Sequence, residues 1–166
     1  AIFVDNFGSL EDFKQINLLQ YFDKPSWDEY FMRLAEVISR RSSCIRKHVG
    51  AVLVSNKIIV STGYNGTPFG LENCNKLGCK KCARTESLNG IETCICLHAE
   101  ENAIMSSCKI ARDDLHLYTT VFPCRLCIKQ SVQRGIKKII YRRAYKDYEE
   151  GITILRNANI DVMHLA

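Results

Sequence analysis

Residues 97–104 read L-H-A-E-E-N-A-I, and residues 118–127 read Y-T-T-V-F-P-C-R-L-C. Each stretch leads into a segment with helical spacing, which predicts helices over 98–109 and 124–134. The apolar run 115–119 between them predicts a strand. Helix and strand therefore alternate through this part of the chain, which is typical of a sheet covered by helices on both faces.

The flanking sequence extends the same pattern. Residues 26–29, S-W-D-E, form a capping-box pattern that opens a helix to residue 38, with Trp27, Tyr30, Phe31, Leu34, Ala35 and Ile38 on its expected core face. Runs 49–54 and 58–60, separated by S-N-K, predict a hairpin. A strand at 138–141, a helix at 149–157 and a strand at 160–163 follow. The pattern predicts an α/β fold with a mixed five-stranded sheet.

Composition limits the class of protein. The chain has 166 residues, 46% hydrophobic and 25% charged, with a formal charge of +5, as expected for one globular domain. No apolar run is long enough for a membrane span, and no signal-like segment opens the sequence, so we expect a cytoplasmic protein without membrane contact. Residues 1–24 lack a clean period and are interpreted as an N-terminal extension, with the domain over 25–166.

Nine cysteines are the unusual feature of the composition. A secreted disulfide scaffold is normally shorter and has an even number of cysteines. Five of the nine lie in a stretch rich in Gly, Asn and Pro, residues 64–97, which has no hydrophobic period and is interpreted as a cysteine-rich insertion. Metal binding in a reducing compartment is the better interpretation, because metal ligation can replace a missing core.

One candidate metal site consists of His98, Cys124 and Cys127. Cys124 and Cys127 are three residues apart at a helix start, where the helix dipole favours thiolates. Three protein ligands with a fourth position left for water are the pattern of catalytic zinc. Glu100 is not needed as a ligand, so its carboxylate is free to carry protons during hydrolysis. Glu101, the neighbouring acid, is assigned no role. H-x-E followed by P-C-x-x-C is the general signature of zinc-dependent nucleobase deaminases.

The chain resembles the deoxycytidylate (dCMP) deaminase family, including the related deaminases of bacterial competence operons. The likeness covers residues 26 to 147 and rests on further motifs: S-W-D-E-Y-F-M at 26–32, R-S-S-C-I-R-K-H-V-G-A at 41–51, G-Y-N-G-T-P-F-G at 63–70 and G-I-K-K-I-I-Y at 135–141. The resemblance implies a cytidine-deaminase-like three-layer α/β/α sandwich. It also implies zinc-dependent hydrolysis of dCMP to dUMP and ammonia, which supplies dUMP for thymidylate synthesis.

The same resemblance implies a homo-oligomer with dCTP and dTTP as effectors, and Mg²⁺ accompanying such a triphosphate. It suggests substrate contacts from Asn65, Arg46, Ala99 and Tyr145, with Arg46 on the 5′-phosphate because guanidinium suits bidentate phosphate contacts. Gly63 and Gly66 would keep the loop beside Asn65 free of side chains near the ligand. A plain Asn-Gly turn is the alternative interpretation of that loop.

Cysteines of the insertion suggest a second, structural zinc. Similar proteins carry cysteines at Cys44, Cys74, Cys79 and Cys94, and four thiolates make a closed shell. Cys82 forms a C-x-x-C with Cys79 and is an alternative ligand, whereas Cys96 is set aside because it lies two residues before His98. Reduced structural thiols, or a disulfide formed on isolation, are the other interpretations.

Two other functions remain open from the sequence. A deaminase of the same fold acting on tRNA or single-stranded nucleic acid would need a continuous basic groove with interleaved aromatic residues. No such stripe is visible in the sequence, which argues against a nucleic-acid partner. A non-catalytic zinc module in assembly or DNA uptake would not need Glu100. The sequence therefore favours a hydrolase acting on a free nucleotide.

Overall fold

The protein was analysed as a computed structural model that describes residues 24–77, 94–107, 113–144 and 148–166. The helices are α1 (Trp27–Ser39), α2 (Cys74–Leu77), α3 (Ala99–Ser106), α4 (Arg125–Arg134) and α5 (Glu149–Asn157). The strands are β1 (Gly50–Ser55), β2 (Ile58–Tyr64), β3 (Leu115–Val121), β4 (Ile136–Arg143) and β5 (Asp161–His164). The predicted extension over 1–24 lies outside the described residues, apart from residue 24.

The five strands form one mixed sheet in the order β2-β1-β3-β4-β5. β1 pairs antiparallel with both β2 and β3, whereas the β3–β4 and β4–β5 pairs are parallel. Asn56 and Lys57 join β1 to β2 with φ angles of 50° and 62°. Positive φ at both positions is what a tight turn between twisted antiparallel strands requires. The predicted hairpin is confirmed.

Two hydrophobic cores lie on opposite faces of this sheet. On one face α1 covers β1 and β3, with Phe31, Met32 and Ala35 packed on Val52 and Tyr118. On the other face, α3, α4 and α5 contribute the buried side chains Ala99, Ala103, Ile128 and Leu155. The fold is therefore a three-layer α/β/α sandwich, as predicted.

The beginning of α1 departs from the prediction. Ser26 Oγ accepts the Glu29 backbone N–H at 3.1 Å and caps the helix. However, Trp27 is 47% exposed and Tyr30 is 41% exposed, so assigning both to the core was wrong. Their rings pack on each other and on Phe31, and the Lys57 ammonium lies 5.4 Å from the Trp27 ring centre. They form the rim of the core because the first turn of α1 lies at the end of the sheet.

Gly63 has a packing role that differs from the predicted one. A Cβ at this position would lie 2.1 Å from the backbone oxygen of Ala99 and 2.5 Å from the backbone nitrogen of Ala103. The glycine therefore allows β2 to lie directly against α3, whose first residues belong to the site described below. A Cβ at Gly66 would be in ordinary contact with the Tyr64 ring, at 3.4 Å.

Within the described residues, no helix is long and apolar enough to cross a membrane.

Candidate active site

The starts of α3 and α4 bring three metal-binding side chains together. His98 is the residue that precedes α3, Cys124 precedes α4, and Cys127 lies in the first turn of α4. His98 Nδ1 lies 3.3 Å from Cys124 Sγ and 3.4 Å from Cys127 Sγ, and the two sulfurs are 3.6 Å apart. Within the described parts of the chain, these residues form the one His/Cys/Asp/Glu group compact enough to hold a metal ion.

These distances suit zinc. Tetrahedral bonds of about 2.0 Å to nitrogen and 2.3 Å to sulfur place neighbouring ligands roughly 3.6 Å (N···S) and 3.8 Å (S···S) apart. The separations in the structure are within about 0.3 Å of those values. One nitrogen and two sulfurs leave the fourth tetrahedral position to a non-protein ligand. The residues present therefore fit a catalytic rather than a closed structural zinc site.

The charges of the ligands in the metal-free protein follow from their contacts. The thiol of Cys127 hydrogen-bonds Cys124 and, with the His98 ring, lowers the pKa of Cys124 to about 4 against the cost of burial. The Cys124 sulfur in turn raises the pKa of His98 to about 9, while the pKa of Cys127 is raised by the same neighbour and by burial. Zinc binding must therefore displace protons from His98 and Cys127.

Glu100 lies beside this group and is buried, with 4% exposure. Cys127 Sγ lies 3.7 Å from Glu100 Oε2, and the Thr119 hydroxyl donates to Oε1 over 3.4 Å. Burial raises the pKa of Glu100 to about 7, with His98 acting in the opposite direction. A carboxyl group that titrates near neutral pH both accepts and releases protons readily.

Thr119 was not singled out from the sequence. Its single hydroxyl proton is shared between Glu100 Oε1 and the backbone oxygen of Val121, which lies 3.0 Å from Oγ1, so the hydroxyl is held where it meets the Glu100 carboxylate. The available signal was its position in β3, where Leu115 and Leu117 precede it on the same face of the sheet. A fully buried polar residue in that apolar series is expected to have a polar partner.

A cavity of about 300 Å³ opens onto His98, Glu100 and Cys124. It is lined by Cys44, Arg46, Lys47, Val49, Asn65, Cys94, Cys96, His98, Ala99, Glu100, Val121 and Cys124. Three of the predicted substrate-binding residues (Arg46, Asn65 and Ala99) are therefore in one cavity with Glu100. The fourth, Tyr145, lies outside the described residues.

Asn65 anchors the wall of this cavity. Its side-chain oxygen accepts the Val49 backbone N–H, and its side-chain nitrogen donates to the Lys47 backbone oxygen, both at 2.8 Å. Its own backbone oxygen accepts the Ser42 hydroxyl at 2.7 Å. Asn65 thus holds the segment that carries Arg46 against the cavity, which a plain Asn-Gly turn would not do. A direct contact with substrate stays a prediction.

A second cavity, of about 450 Å³, adjoins the first. Arg46, Lys47 and Val121 line both cavities, and His48, Arg143, Ser39 and Ala144 complete the lining of the second. Among the residues that the structure describes, its lining contains basic side chains and no acidic one. Arg143 ends β4 beside Val121, its register partner on β3. The sequence analysis selected neither His48 nor Arg143, because nothing local to them signals that β4 ends next to this cavity.

The described cysteines of the insertion also lie together. Cys74 and Cys96 are buried against each other, and Cys94 packs on them. Burial and the neighbouring Cys94 and Cys74 raise the pKa of Cys96. Cys96 therefore packs with the other described cysteines, and which of them are ligands stays a prediction. The C-I-C spacing was the available signal, since alternate residues of an extended segment point the same way. Cys79 and Cys82 lie outside the described residues.

Several known proteins are similar to this chain in sequence. Residues 25–143 match the family model described as the cytidine and deoxycytidylate deaminase zinc-binding region. The deoxycytidylate deaminase of Saccharomyces cerevisiae is 43% identical over 143 residues, covering 84% of this chain and 45% of that protein. ComE operon protein 2 of Bacillus subtilis is 34% identical, covering 84% and 71%.

One solved structure is similar to this chain in both fold and sequence. The dCMP deaminase of cyanophage S-TIM5, in complex with dCMP and dUMP, is 36% identical with a TM-score of 0.69, covering 86% of this chain and 99% of that one. The present chain spans slightly less than half the length of its relatives from Saccharomyces cerevisiae and Schizosaccharomyces pombe, 45% and 44%.

Proposed function

Because this chain belongs to the cytidine and deoxycytidylate deaminase family, we propose that it hydrolyses dCMP to dUMP and ammonia. The observation that carries the proposal is the buried Glu100 carboxyl beside His98, Cys124 and Cys127 at the base of an open cavity. Support for the substrate comes from the cyanophage relative, whose structure holds dCMP and dUMP. Support for the reaction comes from relatives named deoxycytidylate deaminase.

In this proposal His98, Cys124 and Cys127 hold zinc, which when bound supplies activation of the attacking water. Glu100 takes up a proton as water adds to C4 of the cytosine ring and delivers it to the ring nitrogen. It then takes a second proton from the hydroxyl now on C4 and passes it to the amine, so that the C4–N bond breaks, ammonia leaves and the C4 carbonyl forms. The Thr119 hydroxyl fixes the Glu100 carboxylate on the side away from Cys127 during both transfers.

Substrate is held, in this proposal, by residues of the two cavities. Ala99 at the start of α3 lines the floor next to Glu100, and Asn65 lines the wall. Arg46 lies in the lining shared by the two cavities. A nucleotide whose base and sugar occupy the first cavity can therefore present its 5′-phosphate to the basic side chains of the second. Arg143 adds positive charge there, which favours a nucleotide over an uncharged nucleoside. Tyr145 is kept as a further substrate contact.

A second zinc is proposed at the cysteine cluster. Cys44, Cys74, Cys79 and Cys94 are the proposed ligands, with Cys82 as an alternate, and the burial of Cys96 against Cys74 adds Cys96 to the candidates. Elemental analysis should give two zinc ions per chain. Cys74→Ser should lower that value to one while Cys124→Ser removes the other ion. One zinc per chain in the unmodified protein would contradict this proposal.

The resemblance also carries three proposals about regulation and assembly. They are control by dCTP and dTTP, Mg²⁺ bound with such a triphosphate, and assembly into a homo-oligomer. Sedimentation of the protein tests assembly, and dCMP turnover with added dCTP or dTTP, each with and without Mg²⁺, tests the other two. A monomer whose dCMP turnover is insensitive to both nucleotides would contradict them.

One assay tests the main proposal. The zinc-loaded protein is incubated separately with dCMP, CMP, deoxycytidine, dCTP and a cytosine-containing oligonucleotide, and ammonia release is followed. We expect turnover of dCMP, and loss of that turnover in Glu100→Gln with zinc still bound. Turnover of the oligonucleotide without turnover of dCMP would refute the proposed substrate. Full activity of Glu100→Gln would refute the role of the carboxyl.

A further inference from the structure

Glu101, the acid next to the proposed proton carrier, connects the two helices that supply the metal-binding side chains. Its Oε2 accepts the backbone N–H of His98 at 3.2 Å. Its Oε1 accepts the side-chain amide of Gln130 at 3.2 Å. Gln130 lies in α4, three residues after Cys127 and therefore on the same side of that helix. A single carboxylate thus holds the start of α3 to the helix that carries both thiols.

The first of these hydrogen bonds acts on the metal-binding residue itself. The His98 N–H precedes the first turn of α3 and has no intrahelical acceptor. Once it is bound to Glu101, the backbone of His98 is fixed, and so is the direction in which its ring leaves the chain. That direction decides whether Nδ1 reaches the position 3.3 Å and 3.4 Å from the two sulfurs.

The second hydrogen bond sets the distance between the helices. Gln130 Oε1 is buried and has no hydrogen-bond partner within the described parts of the chain. Leaving a buried acceptor unsatisfied destabilises the folded state. The amide nevertheless keeps its nitrogen directed at Glu101, so the Glu101–Gln130 hydrogen bond determines its orientation. Because ligand distances in a metal site are held within about 0.2 Å, small shifts of α3 against α4 change metal affinity.

The same two helices have another side-chain contact at their far ends. Arg134 Nε donates to Ser107 Oγ at 3.1 Å. It joins α3 and α4 as the Glu101–Gln130 contact does, but lies near their C-termini, away from the metal-binding side chains. It therefore provides a matched control for the general packing of the two helices.

We propose that Glu101 is a positioning residue, which fixes His98 relative to Cys124 and Cys127 through its hydrogen bonds to the His98 backbone and to Gln130. The inference rests on the zinc site of the proposed function, but it does not depend on the identity of the substrate. Conservative replacement separates hydrogen bonding from charge. A Glu101→Gln side chain can keep both contacts if the Gln130 amide turns over, because its unsatisfied oxygen then accepts the new N–H.

Zinc affinity tests the proposal, measured by competition with a chromophoric chelator on reduced, full-length protein. Glu101→Ala should bind zinc 10–100-fold more weakly, as is typical when a group that orients a ligand is removed. Ser107→Ala should stay within about 3-fold of the unmodified protein, because the two hydrogen bonds that it removes, to Arg134 and to the Ile104 backbone oxygen, are remote from the ligands. The Co²⁺-loaded Glu101→Ala protein should also show a changed visible spectrum, which reports ligand geometry, while Glu101→Gln restores both affinity and spectrum.

Three results would overturn the proposal. Unchanged zinc affinity and Co²⁺ spectrum in Glu101→Ala would show that His98 is positioned without it. Equal loss in Ser107→Ala would assign the effect to general helix packing. Failure of Glu101→Gln to restore affinity would assign it to the negative charge instead of the hydrogen bonds. None of these measurements uses turnover, so a wrong substrate would leave them interpretable.

Discussion

Glu100→Gln should change how the stability of the metal-free protein depends on pH. Burial raises the pKa of Glu100 from 4.5 to about 7, so the folded protein keeps this carboxyl neutral where the unfolded chain has ionised it. Below pH 4.5 the group is neutral in both states and costs nothing. As pH rises toward 7 the unfolded state gains stability from ionisation and the folded state does not.

The size of the effect follows from that shift. One pKa unit corresponds to about 1.4 kcal/mol, so a rise of roughly 2.5 units should remove about 3 kcal/mol of folding free energy between pH 4.5 and 7. Above pH 7 both states are ionised and the loss is constant. Glutamine has nearly the same shape and cannot ionise. As pH increases from 4.5 to 7, the free energy of unfolding of the variant should therefore rise by that amount relative to the unmodified protein.

Urea unfolding of both metal-free proteins, in chelator and reductant at pH 4.5 to 8, measures this difference. The Glu100 carboxylate also raises the pKa of His98 and of Cys127, so the difference between the two stability curves reports Glu100 together with its coupling to these two side chains. Zinc stoichiometry of the variant serves as the control that the site remains intact. A difference that does not change with pH, or that favours the unmodified protein as pH rises, would refute the burial argument.

The other predictions concern packing, the thiols and the basic cavity. Gly63→Ala should have a free energy of unfolding several kcal/mol below that of Gly66→Ala, measured by urea unfolding. The Cβ added at position 63 would lie 2.1 Å from a backbone oxygen of α3, whereas the Cβ of the Gly66→Ala control would meet only a tyrosine ring at 3.4 Å. With a pKa of about 4, Cys124 should be alkylated by iodoacetamide at pH 6 in the metal-free protein and protected by zinc, as peptide mass mapping would show; lack of reaction would contradict a thiolate there. Arg143→Ala should raise KM for dCMP about 10-fold with little change in kcat, the loss expected for one charged hydrogen bond, whereas Lys137→Ala on the same strand should not; equal effects would exclude a local phosphate contact.

Much of the fold was predictable because its signals are local. The Asn56-Lys57 turn, the Ser26 cap and the Gly135 end of α4, with φ of 79°, each depend on a few neighbouring residues. The candidate metal ligands were equally predictable from the sequence, because a histidine and two cysteines at helix starts rarely have this spacing without binding a metal. The structure brings those three side chains together.

The features that the sequence did not predict depend on which helices and strands pack against each other. Periodicity places Trp27 on the apolar face of α1, but only the sheet shows that this turn lies at its end. Gln130 looks like an ordinary surface residue of α4 until Glu101 of another helix is placed beside it. Arg143 joins the basic cavity only because β4 runs parallel to β3 and ends at the same edge.

The proposed zinc ligands lie on both sides of a central strand. His98 precedes β3 in the sequence and Cys127 follows it, 29 residues after His98, so a bound ion would close a loop of the chain that contains this strand. Separating α3 from α4 would then require the metal to leave first. Backbone amides of β3 should consequently exchange with deuterium only through global unfolding in the loaded protein, and through a smaller, local opening without zinc. The ion would thus determine how much of the molecule must open together.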